Sequence, residues 1–159
     1  MTRTTRRLGR TATLVAIGTT AALALAGTAL AEGSGNGDDG LVDGTPCTYT
    51  ARACVDLATN TAWLIHDGSV TRGPVGVSHG GHGEETPTGF FHVQWKDQNH
   101  RSAEFNNAPM PFSVFFADGG IAFHEGNPKN PSAGCVHLSH DDAVAWFNDL
   151  QVGDEVQIH

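Results

Sequence analysis

FSVFFADGGIAFH, residues 112–124, is two apolar runs on either side of an Asp-Gly turn signal. Asp118-Gly119 suits a turn that needs positive φ, so the flanking runs read as paired antiparallel strands. The same grammar recurs upstream, where TAWLIH and SVTRGPVGVS flank Asp67-Gly68. Phe90 to Trp95 and Glu155 to Ile158 read as further strands. One helix is expected, at SHDDAVAWFNDL, residues 139–150. Ser139 caps it with Asp142 three residues on, and Ala143, Val144, Trp146, Phe147 and Leu150 make its apolar face. The fold class that follows is mainly β, largely antiparallel, with one helix in the C-terminal region.

Extending the opening stretch downstream gives FHEGNPKNPSAGCVHL, residues 123–138, the densest group of reactive side chains in the chain. A thiol is nucleophilic as the thiolate, and with a free pKa near ~8.5 it needs a base or a positive field beside it. His124 ends a strand-like run, and a loop of Gly, Asn and Pro leads to Ser132-Ala133-Gly134-Cys135. If both edges of that loop belong to one sheet, the imidazole meets the sulfur. Gly134, without a Cβ, lets the backbone turn so that amides around Gly134 and Cys135 can face an oxyanion. His137 is two residues from Cys135 and shares its face of a strand, as a site-lining group or a polar group satisfied at the sheet surface. The competing reading of Cys135 is an ordinary buried thiol.

Cysteine count separates these readings. Cys47 and Cys54 enclose six residues in CTYTARAC, close enough for a local disulfide, and Cys135 is left over. The N-terminus supplies the compartment. MTRTTRRLGR carries four Arg and no acid, TATLVAIGTTAALALAGTALA is uncharged, and Ala29-Leu30-Ala31 is a small-residue cleavage triplet. Residues 1–31 read as a secretory signal peptide, with a retained membrane anchor as the alternative; Arg6-Arg7 leaves a twin-arginine signal open. Export to the cell exterior or wall is expected, where disulfides persist.

Cleavage there removes four of nine Lys and Arg and none of seventeen Asp and Glu. The remaining acidic chain has no basic stripe, so a nucleic-acid partner is not expected. Residues 32–45, EGSGNGDDGLVDGT, are Gly- and Asp-rich and read as a flexible linker. Residues 46–159 then form one domain with one site, without a membrane span.

At these residues the chain resembles the L,D-transpeptidase (YkuD) catalytic domain. That family's signature is a His after an apolar run, a loop, then Ser/Thr-His-Gly-Cys-hydrophobic-Arg/Asn. Here it reads His124, then Ser132-Ala133-Gly134-Cys135-Val136-His137. Glu85-Thr86-Pro87-Thr88-Gly89-Phe90 looks like the family's T-P-x-G-x-F element. The resemblance runs from about Cys54 to Ile158, and the small secreted actinobacterial members look closest. It implies a β-sandwich-like fold and a two-step acyl transfer on peptidoglycan stem peptides. Cys135 is then the nucleophile, His124 the proton donor and acceptor, oriented by a backbone carbonyl, and Gly134 the oxyanion-hole backbone. Ser132, His137 and Met110 line the substrate. The reaction leads through a thioester to 3–3 cross-links. No cofactor and no metal are implied; carbapenem-type β-lactams are expected inhibitors, and the domain is expected to be a monomer.

Ala133 and His137 depart from the family pattern and bear on substrate preference and rate. Three alternatives stay open. The first is L,D-carboxypeptidase-like hydrolysis, with water as acceptor. The second is a non-catalytic wall-binding relative, which Ala133 favours. The third is a zinc site built from His79, His82, Cys135 and His137, against which the Gly-rich setting of SHGGHG argues, since it fixes no ligand geometry. A mobile loop at the mouth of the site is the expected role of that segment.

Overall fold

The computed structural model describes residues 40–159, so the signal segment lies outside the described residues. Its elements are β1 (Ala53–Asp56), β2 (Thr61–His66), β3 (Ser69–Gly76), β4 (Gly89–His92), β5 (Trp95–Arg101), β6 (Pro109–Ala117), β7 (Ile121–Glu125), β8 (Val136–Leu138), α1 (His140–Asp149) and β9 (Glu155–Ile158). They form a five-stranded sheet, β3-β2-β1-β9-β4, and a four-stranded sheet, β5-β6-β7-β8. Pairing is antiparallel except for β1 with β9 and β7 with β8. The β-sandwich-like, mainly β fold class is the one expected. No helix among the described residues is long and apolar enough to cross a membrane.

Both Asp-Gly signals make hairpins. Asp67 and Gly68 take φ of 49° and 71° between the paired residues His66 and Ser69, a two-residue turn whose twist matches its strands. The second turn spans 118–120, closed by Ala117 opposite Ile121.

Strand periodicity then sorts side chains between faces. Ala53, Val55, Ala62, Leu64, Val156 and Ile158 of the first sheet meet Val114, Phe116, Phe123, Val136 and Leu138 of the second in the main core. The alternate residues Cys54, Trp63 and Ile65 face outward, yet are buried under Val42, Cys47 and Ala51. This explains why TAWLIH reads as a continuous apolar run: both of its faces are covered. The Cys47–Cys54 disulfide holds that cover in place.

The helix is capped as expected. Ser139 Oγ accepts from Asp142 N–H, and Ala143, Trp146 and Leu150 are fully buried. Val144 and Phe147 are only half-buried.

Two boundaries need correction. Residues 40–45, assigned to the linker, are part of the domain: Leu41 bridges Thr48, Val42 N–H donates to Cys47 O, and Val42 is buried. Phe90 to Trp95 is not one strand. β4 ends at His92 in the first sheet, and β5 begins at Trp95 in the second. Val93 N–H donates to Asp154 O and Gln94 N–H to Phe115 O, so the chain changes sheet between them. β5, WKDQNHR, was missed because its face is polar and it lies at a sheet edge.

Candidate active site

β7 and β8 lie side by side and parallel, with Phe123 opposite Val136 and His124 opposite His137. Phe123, Val136 and Leu138 point into the core, so Ala122, His124 and His137 occupy the outer face of the second sheet. Cys135, at the start of β8, packs there on Met110, Phe115 and Ala122. Alternation along two short strands thus brings thiol and imidazole to one wall.

That wall borders a cavity of about 410 Å³, lined by Cys135, His124, His137, Ser132, Ala133 and Met110. The rest of its lining comes from β5, the β5–β6 connection, β6 and the start of β7, with the aromatic or aliphatic side chains Trp95, Phe105, Phe115 and Ile121 beside polar His100 and Glu104. Trp95 stacks on Phe115 with centroids 3.7 Å apart, leaving its outer face toward solvent.

His124 is buried at 7% exposure, and its Nδ1 lies 2.7 Å from the carbonyl oxygen of Glu125. A carbonyl only accepts, so Nδ1 carries the hydrogen and Nε2 keeps its lone pair. Burial lowers the His124 pKa to about 4; the Glu125 contact opposes this, while His137 and His100 act in the same direction as burial. The imidazole is therefore neutral at pH 7. Burial pushes the Cys135 thiol up, opposed by a hydrogen bond from Ala122 N–H, and Sγ donates to Gly120 O at 3.7 Å. The resting pair is neutral thiol and neutral imidazole.

The loop from 126 to 134 leads into Cys135, and its backbone is fastened from several sides. Ser132 N–H donates to His79 O, and Gly81 N–H to Ser132 O. Ser132 Oγ accepts from Gly134 N–H at 3.1 Å and donates to Cys135 O at 2.5 Å. Thr86 Oγ1, buried, accepts from Gly80 N–H at 2.9 Å and donates to Gly134 O at 2.6 Å. Gly134 has φ +107°, and a Cβ there would come within 2.5 Å of Ile121 Cδ1, so the turn into Cys135 requires glycine.

These contacts revise two expectations. The Gly134 amide, assigned to the oxyanion hole, is engaged by Ser132 Oγ in a local side-chain-to-backbone turn, and serving an oxyanion would require Ser132 to release it. The segment His79 to Gly83 is not a loose loop at the mouth: its first residues bond directly to Ser132. Both His79 ring nitrogens lie 3.1 Å from carbonyl oxygens, of Gly80 and Leu57. Among the described residues no three His, Cys, Asp or Glu side chains gather as metal ligands.

Sequence reasoning brought together Cys135, His124, Ser132, His137 and Met110. It missed Ser78, whose pairing with His137 supports β8, and Gly126, which packs on the His137 ring. It quoted Thr86 only as part of a motif. A threonine three residues before the glycine that opens a strand was the available signal.

Fold and site together define a β-sandwich domain with a Cys–His pair at a cavity on one sheet face. The family model for the L,D-transpeptidase catalytic domain, YkuD, matches residues 50–158, and the chain belongs to that family. It is similar to the crystal structure of an L,D-transpeptidase from Stackebrandtia nassauensis, with 29% identity and TM-score 0.63 over 67% of this chain and 54% of that one. An L,D-transpeptidase from Mycobacterium smegmatis gives 22% identity and TM-score 0.63 over 70% and 59%. The L,D-transpeptidase LdtMt1 in complex with imipenem gives 22% and 0.61 over 67% and 57%. The chain thus spans little more than half the length of these structures. No curated protein matches it.

Proposed function

We propose that this domain is an exported, monomeric cysteine acyltransferase of the small secreted type that forms 3–3 cross-links between peptidoglycan stem peptides in the cell wall. The observation that carries the reading is the placement of Cys135 and His124 on adjacent strands of one cavity wall, with Nδ1 of the imidazole tied to Glu125 O.

The chemistry follows from the protonation states. Cys135 Sγ attacks the carbonyl of the diaminoacyl residue while its proton passes to His124 Nε2. The imidazolium returns that proton to the amine of the departing D-Ala, leaving a thioester. An amine of a second stem attacks the thioester, losing a proton to His124, and the thiol is regenerated as the amide forms. Trp95, Phe105 and Phe115 give the cavity an aromatic surface against which a stem peptide can lie. Imipenem binding by a similar solved structure supports a β-lactam of the carbapenem type as an acylating inhibitor.

The test is mass spectrometry. Incubation with imipenem is expected to add one covalent ligand mass to the wild type and none to Cys135→Ala. The wild type should also exchange the terminal D-Ala of a tetrapeptide stem. Absence of both adduct and exchange overturns the enzyme reading, and release of D-Ala with water as sole acceptor replaces transfer by hydrolysis.

A further inference from the structure

His137 stands where the family pattern has Arg or Asn, and its surroundings describe a support. Its ring meets that of His124 edge to face, with centroids 4.8 Å apart and planes at 74°. It also lies directly against bare backbone: a Cβ on Gly126 would sit 2.6 Å from His137 Cγ and 2.7 Å from Cδ2. Gly126 follows Glu125, whose carbonyl receives the His124 Nδ1–H. The carbonyls of Asn127 and Asn130 act on the His137 ring and oppose the lowering of its pKa by burial. Ser78 Oγ reaches the same two oxygens, at 3.0 and 2.5 Å, and lies 3.4 Å from His137 Nδ1. Both backbone polar groups of His137 pair with Ser78, N–H to O at 2.8 Å and O from N–H at 3.3 Å.

We propose that His137 is a positioning residue for the base: wedged on the His124 ring and the Gly126 backbone, it fixes the imidazole plane and the carbonyl that orients it. This rests on reading Cys135 and His124 as nucleophile and base. A single hydrogen bond at Nδ1 leaves an imidazole free to swing about that bond, and a packing partner removes this freedom. Small misplacements of a catalytic group are costly, on the order of a hundredfold for ~1 Å. Burial holds the His137 pKa below its usual value, so the support is uncharged and puts no fixed cation beside a base that must become positive. An Arg here would put one there. The other titratable groups acting on His124 are His100 from β5 and its neighbour Glu125.

The test uses iodoacetamide, which needs no substrate site. Cys47 and Cys54 are bonded to each other, so among the described residues only Cys135 reacts. Alkylation is followed by mass from pH 5 to pH 10 for wild type, His137→Ala, His137→Asn and Gly126→Ala, with imipenem acylation measured in parallel. His137→Ala is expected to lose about tenfold at pH 7, where the base must assist, and to come within about twofold of wild type at pH 10, where thiolate forms unaided. His137→Asn, which keeps a flat polar group beside Ser78 Oγ, should recover most of the loss. Gly126→Ala, whose Cβ displaces the ring, should reproduce the loss. Wild-type alkylation by His137→Ala at every pH, with only imipenem acylation impaired, makes His137 a substrate contact and overturns the proposal. An equal loss at all pH values marks a merely structural role and overturns it too. If wild type alkylates with the expected profile but never reacts with imipenem or stem peptide, the functional reading fails and the positioning role stands.

Discussion

Thr86→Val removes one hydroxyl and almost no volume, and its effect can be worked out from two bonds. Thr86 Oγ1 accepts from Gly80 N–H and donates to Gly134 O, and Thr86 is only 3% exposed. Gly80 and Gly134 are themselves buried, so water does not replace the lost partner. Each orphaned buried group costs roughly 1–3 kcal/mol, giving about 2–6 kcal/mol for the pair. That is a large share of the ~5–15 kcal/mol that holds a typical domain. Urea unfolding followed by circular dichroism measures it, and an unchanged slope with a lowered midpoint marks a true loss of stability. Thr86→Ser keeps both bonds and should lose about 1 kcal/mol, roughly the worth of a methyl group. The second readout is imipenem acylation below the unfolding range: with Gly134 O released, the turn into Cys135 loses an anchor, and the rate should fall roughly tenfold to a hundredfold. A Thr86→Val protein within about 0.5 kcal/mol of wild type, acylating at the wild-type rate, would refute the idea that this hydroxyl joins the Thr-Pro element to the nucleophile loop.

His124 makes stability depend on acid. Its pKa is about 4 in the folded domain against ~6.5 unfolded, so as pH falls the unfolded chain takes the proton first. The stability contributed by the neutral buried ring is full above pH ~6.5 and is lost progressively toward pH 4, about 3 kcal/mol in all. Denaturant titrations at several pH values should show this slope in wild type and a shallower one in His124→Gln; equal slopes refute it. The Cys47–Cys54 bridge closes a short loop at a sequence separation of 7, for which chain entropy gives roughly 2–3 kcal/mol. Non-reducing peptide mapping should find these two joined and Cys135 free. The double Ala variant should melt earlier yet still acylate at Cys135, and loss of acylation in the folded variant would show that the cover over β1 and β2 reaches the site.

What could be read from the chain was whatever local chemistry dictates. The two Asp-Gly turns, the Ser139 cap and the Trp146 face are short-range signals, and each is in place. The site's central pair was legible for a different reason: cysteine count isolates Cys135, and His124 ends a strand. What the chain hid is long-range. Nothing in FHVQW marks the change of sheet after His92, because both halves are extended and only the partners Asp154 and Phe115 separate them. Val42 looks like linker in a Gly- and Asp-rich setting, and only the exposed back of β1 and β2 gives it something to cover. Ser78 and Thr86 act through hydroxyls bonded to backbone about fifty residues away, a relation with no periodicity to find.

The protonation states constrain the mechanism further. Burial raises the Cys135 thiol and lowers the His124 imidazole to about 4, so both shifts oppose moving the proton from sulfur to nitrogen at rest. Both shifts favour the neutral pair over a standing thiolate–imidazolium pair. Sγ–H faces Gly120 O and the imidazole Nδ1 is tied to Glu125 O, so in the proposed reaction the thiol turns toward His124 before attack. In that proposed reaction the proton moves to Nε2 as the carbon–sulfur bond forms and the electrophile takes up the negative charge. Reactivity in such a site depends on how accurately the base is placed, more than on how basic it is. That is why so much of the surrounding structure, from Glu125 O and the Gly126 backbone to Ser78, Thr86 and Ser132, is occupied with fixing two short strands and the loop between them.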